Sequence, residues 1–374
     1  MLSNKKLGEI ADVTKLSGFE FTKYITYSDE GEIIALRGVN IKNGLLDLTN
    51  IKKINKEISD ILPRSKLKKN DIVLSYTGTL GEVAIINENE KYHLAPNVCV
   101  VRPKINPYYL YSYMKSDIFK NYIKKFSVGS TQKTIPMKNI REIPITLPQD
   151  KQINFFSDLF GLIDKKIFFY EKKIRYLNDI SNNIFNNWFL EKKLKKDKLS
   201  KLIFEKTDKV KNEDCTVLTA LKIGELTKSE NYFSKKVHSK NISKYIKVSP
   251  FDFAFNPSRI NIGSIGMNKN NFIGAVSPVY KVFEVKKNYH WYVEKLLSMN
   301  STKNKIKIMS SGSVRQSLSF KDLSDIMVSI PNPEILVKFN KMHELILDQI
   351  LHLRKKINVL NKINRNSFEI SIQS

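Results

Sequence analysis

The 374-residue sequence contains few of the residues that build disulfide, metal or cofactor sites. Its two cysteines, Cys99 and Cys215, are too few for a disulfide framework or a zinc cluster, and its five histidines show no ligand spacing with them. Glycine-rich phosphate loops and dinucleotide fingerprints are missing as well. No apolar run approaches the length of a membrane span, and the first residues lack the apolar core of a signal peptide. These absences predict a cytoplasmic, non-catalytic chain without a metal or a membrane segment.

Acidic residues are also scarce relative to basic ones. The 63 Lys and Arg against 37 Asp and Glu leave a formal charge of +26 and a pI near 9.7. A charge of this size exceeds what solubility requires and favours a polyanionic partner. The proportions of hydrophobic (41%) and charged (27%) residues are typical of globular proteins, and the length allows two domains with cores of their own.

A long helix is predicted in the middle of the chain, over residues 152–190. Apolar residues recur there at alternating steps of three and four, which is a heptad seam, and no proline or glycine interrupts it after Gly161. At about 1.5 Å per residue the helix would be roughly 55 Å long and would need a partner. Residues 336–368 repeat the pattern, so we predict that the two segments pair. The predicted seam residues are Ile163, Ile167, Tyr170, Ile174, Leu177, Ile346, Ile350, Leu353, Ile357 and Leu360.

The two seams are copies at a constant offset of 183 residues, and Ser181 aligns with Asn364 as a shared polar break. The first globular segment shows short strands and turns, including a strand over His93–Val101 and a helical pattern over Tyr108–Phe126. The second segment repeats its order, with Gly312 aligned with Gly129 and Pro331 with Pro148 at the same offset. The expected class is therefore α+β, with an internal repeat in the order globule, helix, globule, helix. The predicted boundaries are 1–149, 150–196, 197–332 and 333–374.

Both globules contain loops with the side chains that contact nucleic acids. Arg, Lys, Asn and Gln read base edges, while Ser, Thr and Lys commonly hold phosphates. Any one such loop is more often a solvated turn, but their recurrence in two copies favours binding. The candidates are Arg37, Asn40, Lys42, Asn43, Ser75, Tyr76, Thr77, Thr79, Ser130, Thr131, Gln132 and Lys133 in the first globule, and Asn256, Ser258, Arg259, Asn261, Ser311, Ser313, Arg315 and Gln316 in the second.

The sequence resembles the specificity subunits of type I restriction-modification systems over its whole length. The segments that carry the resemblance are Lys6–Ile10 (KLGEI), Gly18-Phe19, Gly129–Gln132 (GSTQ), and Ile143–Pro148 (IPITLP) followed by Gln152-Ile153. The resemblance implies that each globule is a target recognition domain, and that the two helices pair antiparallel as a spacer with pseudo-two-fold symmetry. It further implies that the chain docks DNA methyltransferase and restriction subunits, which bring S-adenosylmethionine, ATP and Mg²⁺.

The function predicted on this basis is non-catalytic recognition of a bipartite, asymmetric double-stranded DNA target. Two alternatives remain. One is the recognition subunit of a fused restriction-methylation enzyme. The other is a basic coiled-coil scaffold for nucleic acid, RNA included, without sequence preference. Large apolar residues beside the first seam are expected to bind the methyltransferase or to pack on a globule. They are Phe168, Phe169, Tyr176, Phe185 and Phe189.

Overall fold

The structure is a computed structural model that describes residues 2–129, 133–190, 194–211, 215–220, 224–232, 241–311 and 317–372. The chain divides into two compact units. Unit 1 comprises Met1–Ile174 and His352–Ser374, and unit 2 comprises Arg175–Leu351. Each unit therefore contains one globular segment together with portions of both long helices.

Unit 1 is built from short strands and helices. The strands are β1 (Ser3–Lys6), β2 (Ala11–Lys15), β3 (Ile33–Leu36), β4 (Ile41–Lys42), β5 (Leu45–Leu46), β6 (Lys52–Ile54), β7 (Lys66–Leu67), β8 (Ile72–Ser75), β9 (Val83–Ile85), β10 (Tyr92–Leu94), β11 (Val98–Pro103) and β12 (Pro144–Leu147). The helices are α1 (Leu7–Ile10), α2 (Gly18–Tyr24), α3 (Lys56–Ile61), α4 (Pro107–Lys115), α5 (Asp117–Phe126), α6 (Met137–Arg141) and the long α7 (Asp150–Phe189), which continues into unit 2.

Two four-stranded sheets form the centre of unit 1. One has the antiparallel order β2-β11-β8-β9, and the other has the order β6-β3-β10-β7 with β3 parallel to β10. Smaller pairs join β1 to β12 and β4 to β5. Every residue of β3 and β8 is buried, and apart from Ser75 at the end of β8 these strands are apolar rather than alternating. A second layer of core packs α4, α5 and the long helices around Tyr109, Phe160 and Phe368.

Unit 2 repeats this construction. Its strands are β13 (Lys196–Lys198), β14 (Ile203–Lys206), β15 (Thr216–Ala220), β16 (Leu226–Lys228), β17 (Ile246–Val248), β18 (Phe253–Phe255), β19 (Ile265–Met267), β20 (Gly274–Val276), β21 (Lys281–Val285) and β22 (Met327–Ser329). Its helices are α8 (Ser229–Tyr232), α9 (His290–Ser298), α10 (Asn300–Ser311), α11 (Phe320–Ser324) and the long α12 (Pro333–Ser371), which ends in unit 1.

The sheets of unit 2 have the same strand orders as those of unit 1. Their orders are β14-β21-β18-β19 and β16-β15-β20-β17, with β15 parallel to β20, and β13 pairs with β22 as β1 pairs with β12. Only the β4–β5 pair has no counterpart among the residues described for unit 2. The expected mixed α and β fold with two similar sheet domains is therefore confirmed.

The long helices run antiparallel within each unit. In unit 1 the Phe160 and Phe368 rings are 6.2 Å apart, while further along α7 the Tyr170 ring lies 5.8 Å from the Lys356 ammonium. The two long helices are also antiparallel in unit 2. The Ser181 hydroxyl lies 2.9 Å from Nδ1 of His343, and the Phe185 ring lies 5.8 Å from that of Phe339. The seam predicted from the heptads faces this pairing: Ile163, Ile167, Ile174, Ile350, Leu353 and Ile357 are buried, and Tyr170, Leu177, Ile346 and Leu360 are half-buried.

The buried line of α7 changes after Ser181. Continuing the heptads predicts Ile184 and Trp188 on the seam, but both are half-buried, whereas Phe185 and Phe189 are buried against Tyr292 and Phe339. In a straight α-helix, positions seven residues apart drift by about 20° per heptad away from the face that they started on. After three heptads, the residue one position further along the chain lies closer to that face. We expected these two rings either to pack on a globule or to bind a partner. In the structure, Phe185 and Phe189 pack inside unit 2.

Two local predictions in unit 1 are wrong. The strand predicted over His93–Val101 is two strands, β10 and β11, in different sheets, because Asn97 adopts a positive φ of 73° after Pro96. The helix predicted over Tyr108–Phe126 is interrupted at Ser116, whose hydroxyl accepts a hydrogen bond from the Phe119 amide and caps α5. Within the described residues, no helix is long and apolar enough to span a bilayer.

Candidate nucleic-acid interface

Three of the loop segments predicted from the sequence meet in unit 1. They are residues 37–43 after β3, residues 76–82 between β8 and β9, and residues 133–134, and we refer to them as the unit 1 loop cluster. A Cβ added to Gly38 would lie 3.9 Å from Cβ of Ser75, the last residue of β8. The Gly78 amide donates to the Lys133 carbonyl at 3.2 Å, and the Thr77 and Thr134 hydroxyls are 2.9 Å apart. The chain thus joins three distant segments at one end of the β2-β11-β8-β9 sheet.

Two of the predicted binding residues have structural roles in this cluster instead. Asn40 is 1% exposed, and its side-chain amide donates to the carbonyls of Asp47 and Asn50, both at 2.9 Å. Ser75 is fully buried; its hydroxyl donates to the Thr79 carbonyl and accepts from the Glu82 amide at 3.1 Å. Because their polar groups are used inside the protein, neither side chain is available to a base edge. Both side chains therefore shape the loops, and their assignment as contact residues stays a prediction.

Arg37 and Lys42 also have partners inside the cluster. The Arg37 guanidinium donates to the Asn50 carbonyl at 2.7 Å, and Lys42 forms an ion pair with Asp47 at 2.6 Å. Hydrogen bonds from Lys42 and Thr49 lower the pKa of Asp47 to about 2, so the pair is charged at neutral pH. Lys42 is nevertheless exposed, and an exposed ion pair stabilises by only about 0–1 kcal/mol. Its ammonium can exchange Asp47 for a phosphate at little cost.

The most accessible groups of the cluster are Asn43, Thr79 and Lys133, which are all exposed. Asn43 forms the β4–β5 turn with a positive φ of 52°, and its amide donates to the Glu82 carboxylate at 2.7 Å. Tyr76 is half-buried beneath the ammonium of Lys15, which lies 5.1 Å from the ring centroid. Lys15 was absent from the predicted binding residues. Its position at the end of the alternating strand β2 is the signal that could have found it.

In unit 2 the corresponding loop is the 3-10 turn Pro257–Ile262 between β18 and β19. Asn256 caps it by accepting from the Ser258 amide at 3.1 Å, and Gly263 ends it with a φ of 90°. Ser258 and Arg259 are exposed, whereas Asn256 and Asn261 are half-buried. Within the described part of the chain, no ion pair holds the Arg259 guanidinium.

The two loops are tied to their units by equivalent hydrogen bonds. In unit 1 the Ile135 amide donates to the Tyr76 carbonyl at 2.9 Å, and in unit 2 the Leu318 amide donates to the Pro257 carbonyl at 3.1 Å. Ile135 and Leu318 are 183 residues apart, which matches the offset of the repeat. Some predicted binding residues fall outside the described ranges: Ser130, Thr131, Gln132, Ser313, Arg315 and Gln316. Ser311 ends α10, and its side chain is likewise outside the description.

The long helix α7 presents a second surface. Four large side chains recur at every seventh position and are more than half exposed, and we call them the outer stripe. They are Phe155 (67%), Leu162 (66%), Phe169 (61%) and Tyr176 (55%). Leu345 and Val359 of α12, which are 61% and 56% exposed, repeat Leu162 and Tyr176 at the 183-residue offset. Exposed apolar residues in a regular row are typical of interaction surfaces rather than of solvated helix faces.

The loop surfaces of both units carry polar and basic side chains. They present hydroxyl, amide, ammonium and guanidinium groups, which donate hydrogen bonds to phosphates and base edges. Across the described ranges, no three His, Cys, Asp or Glu side chains group as metal ligands.

Comparison with known proteins shows similarity to specificity subunits of type I restriction-modification systems. A model of the "Type I restriction modification DNA specificity domain" matches residues 2–167. The specificity subunit of the type I restriction enzyme EcoBI from Escherichia coli is 28% identical over 136 residues, which cover 34% of this chain and 29% of that protein. The MjaIX specificity subunit from Methanocaldococcus jannaschii is 20% identical over 334 residues, which cover 79% of this chain and 75% of that protein.

The fold agrees with these matches. The crystal structure of the S subunit of a type I restriction-modification system from M. genitalium aligns with a TM-score of 0.56 at 12% identity, covering 99% of this chain and 96% of that chain. The alignment with the EcoBI subunit spans less than a third of that subunit's length, whereas the structural alignment extends over both globules and both helices. Residues 2–167 are therefore similar to type I restriction-modification DNA specificity domains, and the fold of the chain is similar to that of a type I S subunit.

Proposed function

We propose that this chain recognises a bipartite, asymmetric sequence in double-stranded DNA, with one unit reading each half, and that it has no catalytic activity of its own. The observation that carries the proposal is the meeting of three sequence-distant loops at one end of the unit 1 sheet, together with the equivalent capped loop of unit 2. The net charge of +26 supports a polyanionic partner. The similarity of residues 2–167 to DNA specificity domains argues for DNA as that partner.

Within this proposal, the loop residues have different tasks. Arg259 is the strongest candidate for base readout, because an exposed guanidinium can donate two hydrogen bonds to a guanine. Asn43, Ser258 and Lys133 are suited to amide and phosphate contacts. The loops of the two units differ in sequence and length around the same sheet, which favours two different half-sequences. This difference is the physical basis for an asymmetric target.

We further propose that the chain carries methyltransferase and restriction subunits to the target. The outer stripe of α7 supplies an apolar surface for the methyltransferase, and those partners would supply S-adenosylmethionine, ATP and Mg²⁺. Phe169→Asp places a charge in this surface and should release the methyltransferase. The isolated variant should remain folded, because Phe169 is 61% exposed. Loss of folding would assign Phe169 to the core instead.

The DNA proposal is tested by selection from random duplexes, using the chain together with its methyltransferase partner. We expect one enriched motif with two separated half-sequences. Because each phosphate contact releases counterions, the logarithm of affinity should fall by roughly 0.9 per contact for each logarithmic unit of salt. A basic scaffold would show the salt dependence without an enriched motif, and salt-independent binding would exclude DNA as the partner.

A further inference from the structure

A cavity of about 400 Å³ lies in unit 2 under the loop Pro257–Ile262. Its walls come from this loop, from β18 and β19, and from one side of α9 and α10. Most of the lining is apolar, including Phe253, Ile260 and Leu297. Glu294 and Lys303 are the charged residues of the lining, and the Glu294 side chain is 17% exposed. The cavity therefore offers an apolar interior with one acidic and one basic group in its wall.

The corresponding position in unit 1 is filled by the chain itself. The connection between β3 and β6 is 15 residues long and contains the β4–β5 hairpin. The Tyr111 hydroxyl of α4 donates a hydrogen bond to the carbonyl of Gly44 in the hairpin turn. Gly44 has a φ of 80°, and a Cβ there would lie 3.0 Å from the Tyr111 oxygen. A tight turn with glycine at its tip is thus packed against α4.

The walls of this site recur in unit 2, and among its described residues no strand pair corresponds to the hairpin. Glu294 and Ile306 line the cavity and lie 183 residues after Tyr111 and Ile123, at the offset of the repeat. The connection between β15 and β16 has only five residues, 221–225, in place of fifteen. Five residues can join β15 to β16, but they are too few to include a further two-stranded hairpin between these strands. The cavity is consequently the counterpart of the hairpin site.

We propose that this cavity receives a tight turn of a partner polypeptide, the methyltransferase subunit of the proposed function. The first reason is that unit 1 fills the equivalent site with a polypeptide turn, so the shape suits one. The second reason is the change of chemistry in the wall. Glu294 replaces Tyr111, so a carboxylate that accepts hydrogen bonds stands where a hydroxyl donates one.

Glu294 gives the wall one hydrogen-bond acceptor that is fixed in place. The Glu294 carboxylate is held by the Lys269 ammonium at 2.5 Å, which keeps it in place as an acceptor. A polypeptide turn that presents a backbone amide can donate a hydrogen bond to this acceptor. The methyltransferase should therefore contact unit 2 through this turn and unit 1 without it.

Site-specific photocrosslinking tests the proposal in the assembled complex on DNA. The photoreactive residue p-benzoylphenylalanine replaces Lys303, which is exposed and lines the cavity, or Lys305, which is exposed on the other side of α10 and serves as the control. We expect a crosslink from position 303 to a turn of the methyltransferase, located by peptide mass spectrometry, and none to that peptide from position 305.

Each other result overturns the proposal. A crosslink from position 303 to DNA would make the occupant a nucleic acid, and equal crosslinks from both positions would indicate a surface contact without insertion. An assembled complex without any crosslink from position 303 would leave the cavity without this occupant. The proposal rests on the proposed function, and assembly is measured separately by native mass spectrometry. Failure to assemble with a methyltransferase would contradict the proposed function itself.

A cavity-filling substitution gives an independent measurement. Ser298 lies at the cavity and is exposed, so Ser298→Trp should fill it and weaken methyltransferase binding about tenfold, whereas Ser298→Ala should not. Thermal melting of the isolated variants controls for folding. Unchanged binding by a folded Ser298→Trp variant would overturn the proposal. If that variant fails to fold, the crosslinking result decides.

Discussion

Units 1 and 2 share a scaffold and differ in the loops attached to it. The turn before β8 and the turn before β18 are both held by a buried aspartate: the Asp71 carboxylate accepts from the Lys68 amide at 2.9 Å, and the Asp252 carboxylate accepts from the Ser249 amide at 2.8 Å. Burial raises the pKa of both groups. The cation beside Asp71 is Arg102 of β11, whereas that beside Asp252 is Lys206 of β14.

This comparison shows which features recur in both units and which differ between them. A buried aspartate that holds a turn recurs with its hydrogen bond intact, although its ion-pair partner comes from another strand. In contrast, the connection after the first parallel strand shrinks from 15 residues to five, and a hairpin gives way to a cavity. Sheets that must close a core keep their order, while loops that face a partner are free to diverge.

The largest expected effect is the loss of stability when a buried aromatic ring is removed from the core of one unit. Phe368→Ala should destabilise unit 1 and Phe339→Ala should destabilise unit 2, each by about 3–5 kcal/mol, because each ring is buried among other aromatic rings. Hydrogen exchange followed by mass spectrometry would show which amides lose protection. If either substitution exposed both units equally, the chain would unfold as one cooperative body rather than as two.

A second comparison contrasts one arginine from the candidate interface of each unit. Arg259→Ala should relax the preference at one base position of one half-site, at a cost of about 1–3 kcal/mol for a lost bidentate contact. Arg37→Ala removes a guanidinium that donates to Asn50, so it should weaken binding to the other half-site without changing the preferred bases. Motif selection with each variant distinguishes these outcomes. A uniform loss from Arg259→Ala would assign that residue to phosphate.

A third comparison concerns the residues that shape the loops. Asn256→Ala removes the cap of the Pro257–Ile262 turn and should lower the free energy of unfolding by about 1 kcal/mol. Ser258→Ala is the matched control, because its exposed hydroxyl caps nothing in the described structure. Urea denaturation measures both variants. Equal losses would show that the cap does not stabilise the loop.

The smallest expected effect is on acid stability. Burial lowers the pKa of His93 in unit 1 and of His290 in unit 2 below the ordinary value of 6.5. Since the unfolded chain binds these protons more readily, the stabilisation from neutral histidine is complete above about pH 6.5 and is lost as the pH falls below it. Denaturation midpoints at several pH values would show this slope. His93→Gln should flatten it for unit 1, and an unchanged slope would assign the effect to other groups.

Much of this architecture could be predicted from the sequence, because long periodic segments carry a strong signal. The helices predicted over residues 152–190 and 336–368 correspond to α7 and α12, and the 183-residue offset extends to the hydrogen bonds of Ile135 and Leu318. Local polar chemistry was less predictable. A short stretch with Asn and Ser suits either a solvated loop or a buried one, and only the tertiary structure shows that Asn40 and Ser75 are used internally.

The position of Phe368 has a consequence for how the protein is made. This ring belongs to the core of unit 1 and lies 5.6 Å from that of Tyr113, although more than 200 residues separate them along the chain. During synthesis on the ribosome, all residues of unit 2 (Arg175–Leu351) emerge before Phe368 does. The segment translated first therefore completes its core last, in contrast to the usual N-terminal-first order. Until then the apolar site of the missing ring stays open, and chaperone binding during translation should concentrate on the first globule.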